Sequence, residues 1–176
     1  MNRIIRKATP ADMACIMQVM SAAKSIMRAA GNMLQWTGGY PSEAVVLQDM
    51  EKGGGYVVED DHSVVAYFAF LPSPEPTYSH IVGRWLDDDL PYHVVHRIAS
   101  YPGAHHVFRD VMDFCFAADG NIRIDTHRDN TIMQHVAEAY GFTYCGVIYL
   151  SDGDAPERLS LSEKRKLERL AYQKKV

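Results

Sequence analysis

Eight histidines, ten tyrosines and three cysteines are the residues of this chain best suited to moving protons or electrons. Spacing argues against metal chemistry. His93 and His96 are three apart in a stretch that reads as a strand, so their side chains face opposite sides of a sheet. His127 and His135 flank a helix start, with no cysteine pair at zinc-finger spacing nearby. No metal is expected. Cys15, Cys115 and Cys145 are scattered through apolar runs, as small buried hydrophobes usually are. Proton transfer remains: the imidazole of His96 can take up a proton near neutrality, although a histidine in a strand is also a common structural residue. Trp36, Tyr40 and Trp85 are large aromatics in polar or glycine-rich loops. There they could wall a binding cavity or close the edge of the core.

The elements that must position these residues can be read from periodicity and punctuation. Ile4 and Ile5 begin a short strand. Thr9 is an N-cap, Pro10 takes the first helical position, and Asp12 places a carboxylate at the helix start. Met13, Ile16, Met17, Met20, Ala23, Met27 and Ala30 recur at helical spacing and Gly31 ends the pattern, which makes the methionine stripe a core-facing side. Ser42 caps a second helix to about Met50, closed by Gly53, Gly54 and Gly55. Tyr56–Val58 and Val64–Leu71 read as a hairpin turning at Asp60 and Asp61. The second of its strands, apolar on both faces, is expected at the centre of a sheet.

After Pro72, Pro74 and Pro76 comes a polar segment with Trp85 and the acidic run from Asp87 to Asp89. From Tyr92 the pattern becomes strand (Tyr92–Ser100), helix (His106–Ala118), strand (Asn121–Thr126), helix (Asn130–Tyr140) and strand (Phe142–Leu150). Such alternation implies parallel pairing with right-handed crossovers over part of the sheet. Nothing marks a second domain in these 176 residues.

Composition narrows the function classes. A hydrophobic share of 47% and a charged share of 23% are those of a globular domain. A net charge of −4 disfavours a nucleic-acid surface, because neutralising phosphates takes an excess of Lys and Arg. The longest apolar run, Val64–Leu71, is too short to span a bilayer, and the first residues lack the apolar core of a signal peptide. A cytoplasmic location and small-molecule chemistry are expected, with neither a membrane nor a nucleic-acid partner.

The second half carries the most specific pattern: His96-Arg97-Ile98-Ala99-Ser100, then Asn121 through Asn130, then Gly141-Phe142 opening the last of these strands. The Gln35-Trp36 and Gly39-Tyr40-Pro41 loop and a late Arg169–Lys174 strand accompany it. In order and spacing these resemble the GNAT superfamily of N-acetyltransferases, over nearly the whole chain. The resemblance implies one α/β domain spanning 1–176, with a mixed, mostly antiparallel sheet and helices on both faces. Its parallel central pair would be splayed for the cofactor. Residues 154–168 read as an inserted charged segment, since the family branch runs almost directly from Asp152-Gly153 into its last strand. The activity implied is transfer of an acetyl group from acetyl-CoA to the amine of a small molecule or peptide by direct attack, by a monomer or homodimer.

By the same resemblance, the pantetheine arm lies along the strand at Ile98, Ala99 and Ser100. Main-chain amides of Ala104, His105, His106, Val107, Phe108 and Arg109 cradle the diphosphate, since a helix N-terminus has N–H groups without internal partners. Asn130 meets the pantetheine or acetyl region, besides being a natural N-cap. Trp36 and Tyr40, with Trp85, line the acceptor side, where acidic residues such as Asp87 could attract a cation. His96 is the candidate base. The family's helix tyrosine is replaced by Ala137, leaving Tyr140 as the candidate acid and Tyr144 as a neighbour. His106 and Phe108 stand where the family has small residues. Together with Ala137 they motivate an alternative, a catalytically weak or inactive acyl-CoA-binding regulatory module.

Overall fold

The computed structural model describes residues 3–151 and 156–176. Its first turn is organised by one carboxylate. Asp12 accepts from the Thr9 N–H at 2.8 Å and hydroxyl at 2.9 Å, and from both Arg6 terminal nitrogens at 2.8 and 2.9 Å. Those contacts, the Arg6 bonds foremost, hold the Asp12 carboxyl well below the usual range. They tie strand β1 (Ile4–Lys7) to helix α1 (Met13–Ala29). Ile16, Val19, Met20 and Ala23 are the buried residues of α1, so the methionine stripe is largely core. Ala23, Met27 and Ala30, in the last part of the stripe, also border a cavity described below. Ser42 caps α2 (Glu43–Glu51) by accepting from the Val45 N–H.

β2 (Gly55–Asp60) and β3 (Ser63–Pro72) form the expected hairpin. Its turn falls at Asp61 and His62, with φ of +48° and +63°, one residue later than the sequence reading placed it. A two-residue hairpin turn needs both central residues left-handed, and Asp61 tolerates that conformation. β3 is central, as its two apolar faces require. The full order of the eight strands is β1-β2-β3-β5-β6-β8-β7-β4, adding β4 (Val82–Gly83), β5 (His93–Ser100), β6 (Asn121–Thr126), β7 (Thr143–Tyr149) and β8 (Glu168–Lys175). The two-residue β4 has no period to read, and it pairs with β7 only at Val82 and Gly83.

Helices α3 (Val107–Ala118) and α4 (Thr131–Tyr140) cover one face of the sheet through Val107, Val111, Met112, Cys115 and Ala137. Helices α1 and α2 cover the other through Ile16, Met20 and Val46 against Val57 and Tyr67. Among the described residues the alternation after Tyr92 yields one parallel pair, β5 with β6. β7 does not lie beside β6 because β8, with Leu170, Ala171 and Tyr172 buried, inserts antiparallel between them. In the charged C-terminal segment, residues 154 and 155 lie outside the described ones. The rest is a short turn at Pro156–Arg158 and α5 (Leu161–Leu167), which buries no side chain and so presents a solvated face.

The feature that positions the site is a separation within that parallel pair. β5 and β6 are in register only at His93 with Ile122 and Val94 with Arg123, after which they part. On its other side β5 stays paired with β3 to Ser100, but the register shifts between Tyr67 and Ala69. The extra residues fall around Arg97, whose φ is +57°, a bulge that bends the strand away from β6. Asp49 of α2 holds the bulge: it takes the Arg97 Nε at 2.8 Å and Nη2 on its second oxygen, and Tyr67 Oη donates to it at 2.8 Å. Arg97 Nη1 also donates to Tyr40 Oη at 3.0 Å. Asp49→Ala leaves this guanidinium buried without its carboxylate and should cost about 3–5 kcal/mol in urea unfolding. Adding Arg97→Gly, which suits a positive φ, should recover part of that loss. A loss below about 1 kcal/mol would mean the pair behaves like a surface salt bridge and does not hold the bulge.

Candidate active site

The parting strands leave two cavities. One, of about 510 Å³, lies between α2, the Trp36–Tyr40 loop and the diverging strands. The other, of about 460 Å³, lies between α1, α4 and the start of α3. Met27, Ile98, Asn130 and Met133 line both. The two cavities therefore meet where β5 has left β6.

The second cavity gathers nearly all the residues expected to hold the acyl donor. Ile98, Ala99, Ser100, Ala104, His106, Val107, Phe108, Arg109 and Asn130 line it; His105 does not. The helix begins with His106 as N-cap at φ +65°, a conformation that a residue with a Cβ adopts only under constraint. Arg3 supplies the constraint. Its Nη1 donates to the His105 carbonyl and to Asp110 Oδ2 at 2.6 Å, while its Nε donates to Asp60 at 3.2 Å. His105 thus points its carbonyl at Arg3, and the chain emerges with the N–H groups of Val107, Phe108 and Arg109 ahead of the first helical bond, from Asp110 N–H to the His106 carbonyl at 3.1 Å.

Asn130 serves first as a cap. Its Oδ1 accepts from Met133 N–H at 3.2 Å and its Nδ2 donates to Gln35 Oε1 at 3.1 Å. Its place on the wall shared by both cavities is additional to that role. Tyr140 lies on the second cavity, but its hydroxyl donates to Asp113 at 2.7 Å. Burial, and then Asp113, push that phenol above its ordinary value. Tyr144 is half exposed and packs edge-on against Tyr172.

The first cavity holds His96 between two carboxylates. Its Nε2 lies 3.1 Å from Glu75 Oε2, and its Nδ1 lies 3.7 Å from Asp125 Oδ2. Asp125 in turn accepts from Tyr78 Oη at 2.6 Å. Burial pushes the Glu75 carboxyl up, but hydrogen bonds from His96 and Thr77 outweigh it and bring the group down to about 2. Arg169 completes this wall with its Nε 4.0 Å from Asp125 Oδ1. The hydroxyl of Thr126, at the end of β6, is buried with no hydrogen-bond partner among the described residues. Trp36 and Tyr40 line this cavity as expected.

Trp85 does not line either cavity. It is 3% exposed, donates to the Tyr78 carbonyl at 3.3 Å and carries the Arg123 guanidinium on its ring, so it belongs to a core at the β7–β8 end. Asp87 is likewise engaged, with Lys175 at 2.7 Å. His93 stacks on Phe70 and reaches Asp119, on the opposite side of β5 from the His96 contacts. Glu75, Asp49 and Arg169 had no signal in the sequence, because they come from separate elements. Asp125, one step before the end of a strand in the most specific segment, offered a hint.

No protein-family model matches the chain. No curated protein matches it either. Solved structures do. A GNAT-family acetyltransferase from Streptococcus agalactiae is 28% identical, covers 99% of this chain and 95% of its own, and superposes with a TM-score of 0.83. The chain is thereby assigned to the GNAT superfamily. A GNAT-family acetyltransferase from Listeria monocytogenes, 17% identical with 99% and 95% coverage and a TM-score of 0.67, shares the fold. So does a ribosomal-protein-alanine N-acetyltransferase from Brucella melitensis, 17% identical with 98% and 99% coverage and a TM-score of 0.58. The mixed sheet with its parallel β5–β6 pair is thus a GNAT-like fold, and these acetyltransferases support acetyl transfer as the general activity. Among the described residues no helix is long and apolar enough to cross a membrane.

The depressed Glu75 carboxyl gives a stability signature. A carboxyl whose folded value lies below the ordinary 4.5 contributes stability that is present above that pH and is lost as pH falls toward about 2. The stability advantage of wild type over Glu75→Gln should therefore shrink as pH falls from about 5 toward 2. A difference that persists undiminished to the acid end would show that His96 does not hold Glu75 ionised.

Proposed function

We propose that this protein is an acetyl-CoA-dependent N-acetyltransferase acting on the amine of a small molecule or peptide by direct attack. The observation that carries the reading is the meeting of two cavities at the β5–β6 split, one polar and titratable, the other apolar with a helix start at its rim. A thioester reaching in from one side and an amine from the other would come together beside Ile98. Acetyl-CoA fits the second cavity on three counts. The edge of β5 beyond Val94 is released from β6 and can take an amide chain as a pseudo-strand. The N–H groups of residues 107–109 can receive a diphosphate. Apolar side chains of α1 and α4 line the remainder.

The chain's own residues divide the work as follows. Glu75, ionised throughout the neutral range, accepts from His96 Nε2–H and leaves Nδ1 free to take the amine's proton. Asp125 steadies the imidazolium that results. The backbone N–H of Ile98, in the bulge, would donate to the carbonyl oxygen as charge develops on it. The nitrogen forms its bond to the acetyl carbon, the carbon–sulfur bond breaks, and the thiolate takes a proton from solvent at the cavity mouth. Tyr140, the tyrosine nearest in sequence to the family position, has its hydroxyl committed to Asp113.

The second reading, an acyl-CoA-binding module of little activity, is favoured by the Cβ that His106 adds at a left-handed helix start and by the fully buried Ala137. Thiol release from acetyl-CoA over an amine panel, alongside calorimetry with desulfo-CoA, separates the two. Saturable binding with amine-dependent release is expected, and binding without release supports the module. No binding at millimolar ligand would sink both. His96→Gln should lower kcat by about 10²–10⁴-fold with coenzyme affinity unchanged. Arg3→Gln should do the reverse: a coenzyme dissociation constant about tenfold higher, the equivalent of ~1.4 kcal/mol of lost preorganisation, with kcat nearly intact. Equal effects on kcat from both variants would contradict this division of roles.

A further inference from the structure

We infer that the acceptor is a small zwitterion, an amine bearing a carboxylate about one carbon away as in a free amino acid. Arg169 would hold the carboxylate, and His96 with Asp125 the nitrogen. The inference rests on the acetyl-transfer reading and concerns the other substrate of the same site.

The cavity wall contains two guanidinium groups, and they are in different states. Arg97 is fully engaged by both oxygens of Asp49 and by Tyr40, so it serves the fold. Arg169, at the start of β8, has a side chain 8% exposed. Its Nη1 donates to the carbonyls of Lys166 and Glu168 at 3.0 and 2.8 Å, and its Nε is 4.0 Å from Asp125, beyond hydrogen-bond reach. Its Nη2 has no partner among the described residues. Burial pushes this guanidinium below its ordinary value, and Asp125 offsets that only in part. A guanidinium this enclosed is normally paired, since burying an uncompensated charge is costly. An anion in the cavity would complete it, and a carboxylate or phosphate oxygen matches its planar donors. The partnerless buried hydroxyl of Thr126 on the same wall offers a further polar contact.

Two features select a zwitterion over a plain anion or a plain cation. First, the formal charges on the wall balance: Asp49, Glu75 and Asp125 against Lys52, Arg97 and Arg169. A polyamine would find too little net negative charge, and a dianion such as a phosphate ester too little positive charge. Second, the unmatched cation sits beside the proton-accepting cluster. Arg169 is 4.0 Å from one oxygen of Asp125, and the other oxygen is 3.7 Å from His96 Nδ1. Charges on the ligand must be comparably close together. A peptide N-terminus would bring its carboxylate too far away, and an α-amino acid brings it to the right distance. Lys52, at the mouth of the same cavity, adds positive potential on the approach.

The test compares acceptors that differ only at this group: a set of amino acids, their carboxamides, and the corresponding decarboxylated amines. With wild-type protein and acetyl-CoA, the amino acids should show kcat/KM about 10²-fold above both analogues, because a buried donor left unpaired rejects a ligand lacking the matching group. Arg169→Gln should erase that preference, raising KM for the amino acids by about 10²-fold more than for the carboxamides. Arg169→Lys should keep part of it. Equal or better use of carboxamides by wild type overturns the inference, as does an Arg169→Gln loss common to all acceptors; should Arg169→Gln fail to fold, the wild-type panel decides alone. Calorimetry of the same ligands on the desulfo-CoA complex distinguishes the two levels of argument. Preferential binding of the zwitterion without thiol release would overturn acetyl transfer while upholding the site's specificity.

Discussion

The contact between Asp49 and Arg97 is the constraint on which the rest of the site depends. In a regular parallel pair, β5 would stay hydrogen-bonded to β6 along its length and no crevice would exist between them. A single residue at φ +57° bends the strand, and that conformation persists because its side chain is gripped from the opposite layer by a buried carboxylate. Tyr67 adds its hydroxyl to the same carboxylate from β3, and Tyr40 takes the remaining guanidinium nitrogen from the loop. One ion pair thus joins α2, the central hairpin, the aromatic loop and the bulge. Both cavities, and the wall they share, follow from it.

A second clamp works at the other end of the bulged strand. Departure from small residues at the start of α3 leaves a β-carbon in a position where glycine would be at ease. Arg3, just ahead of β1, compensates by holding the preceding carbonyl together with Asp60 and Asp110. The residue leading into the first strand therefore shapes the helix start across from it. A loop that loses its glycines can keep its geometry if a charged side chain from elsewhere over-determines the backbone.

The chemistry assembled around the split uses charge in two ways. Pairs such as Asp12–Arg6 and Asp49–Arg97 are closed and structural. The set of Glu75, His96, Asp125 and Arg169 is open: distances of 3.7 and 4.0 Å leave room between neighbours, and buried polar atoms face a cavity. Open arrangements of this kind are expensive to maintain in a folded protein unless a ligand completes them.

The sequence by itself was enough for most of the individual elements. The helical stripe of α1, the two apolar faces of β3, the caps at Thr9, Ser42 and Asn130 and the alternation after Tyr92 are local patterns, set by period and by turn chemistry within a few residues. The strand, turn and helix start that line the second cavity are adjacent in sequence, so their place together was legible; their assignment to an acyl donor came from the family resemblance. The acceptor side was not. Trp36, Tyr40 and His96 could be singled out by residue type, but Trp85 was indistinguishable from them until Arg123 and Tyr78 were seen to bury it. Glu75 was one acidic residue in a proline-rich loop and Arg169 one cation in a basic run. Only the insertion of β8 between β6 and β7 brings Arg169 to Asp125, and only the path of the chain after β3 brings Glu75 to His96. Contacts between residues tens of positions apart depend on register and strand order, which no local pattern encodes; tertiary structure alone decided them.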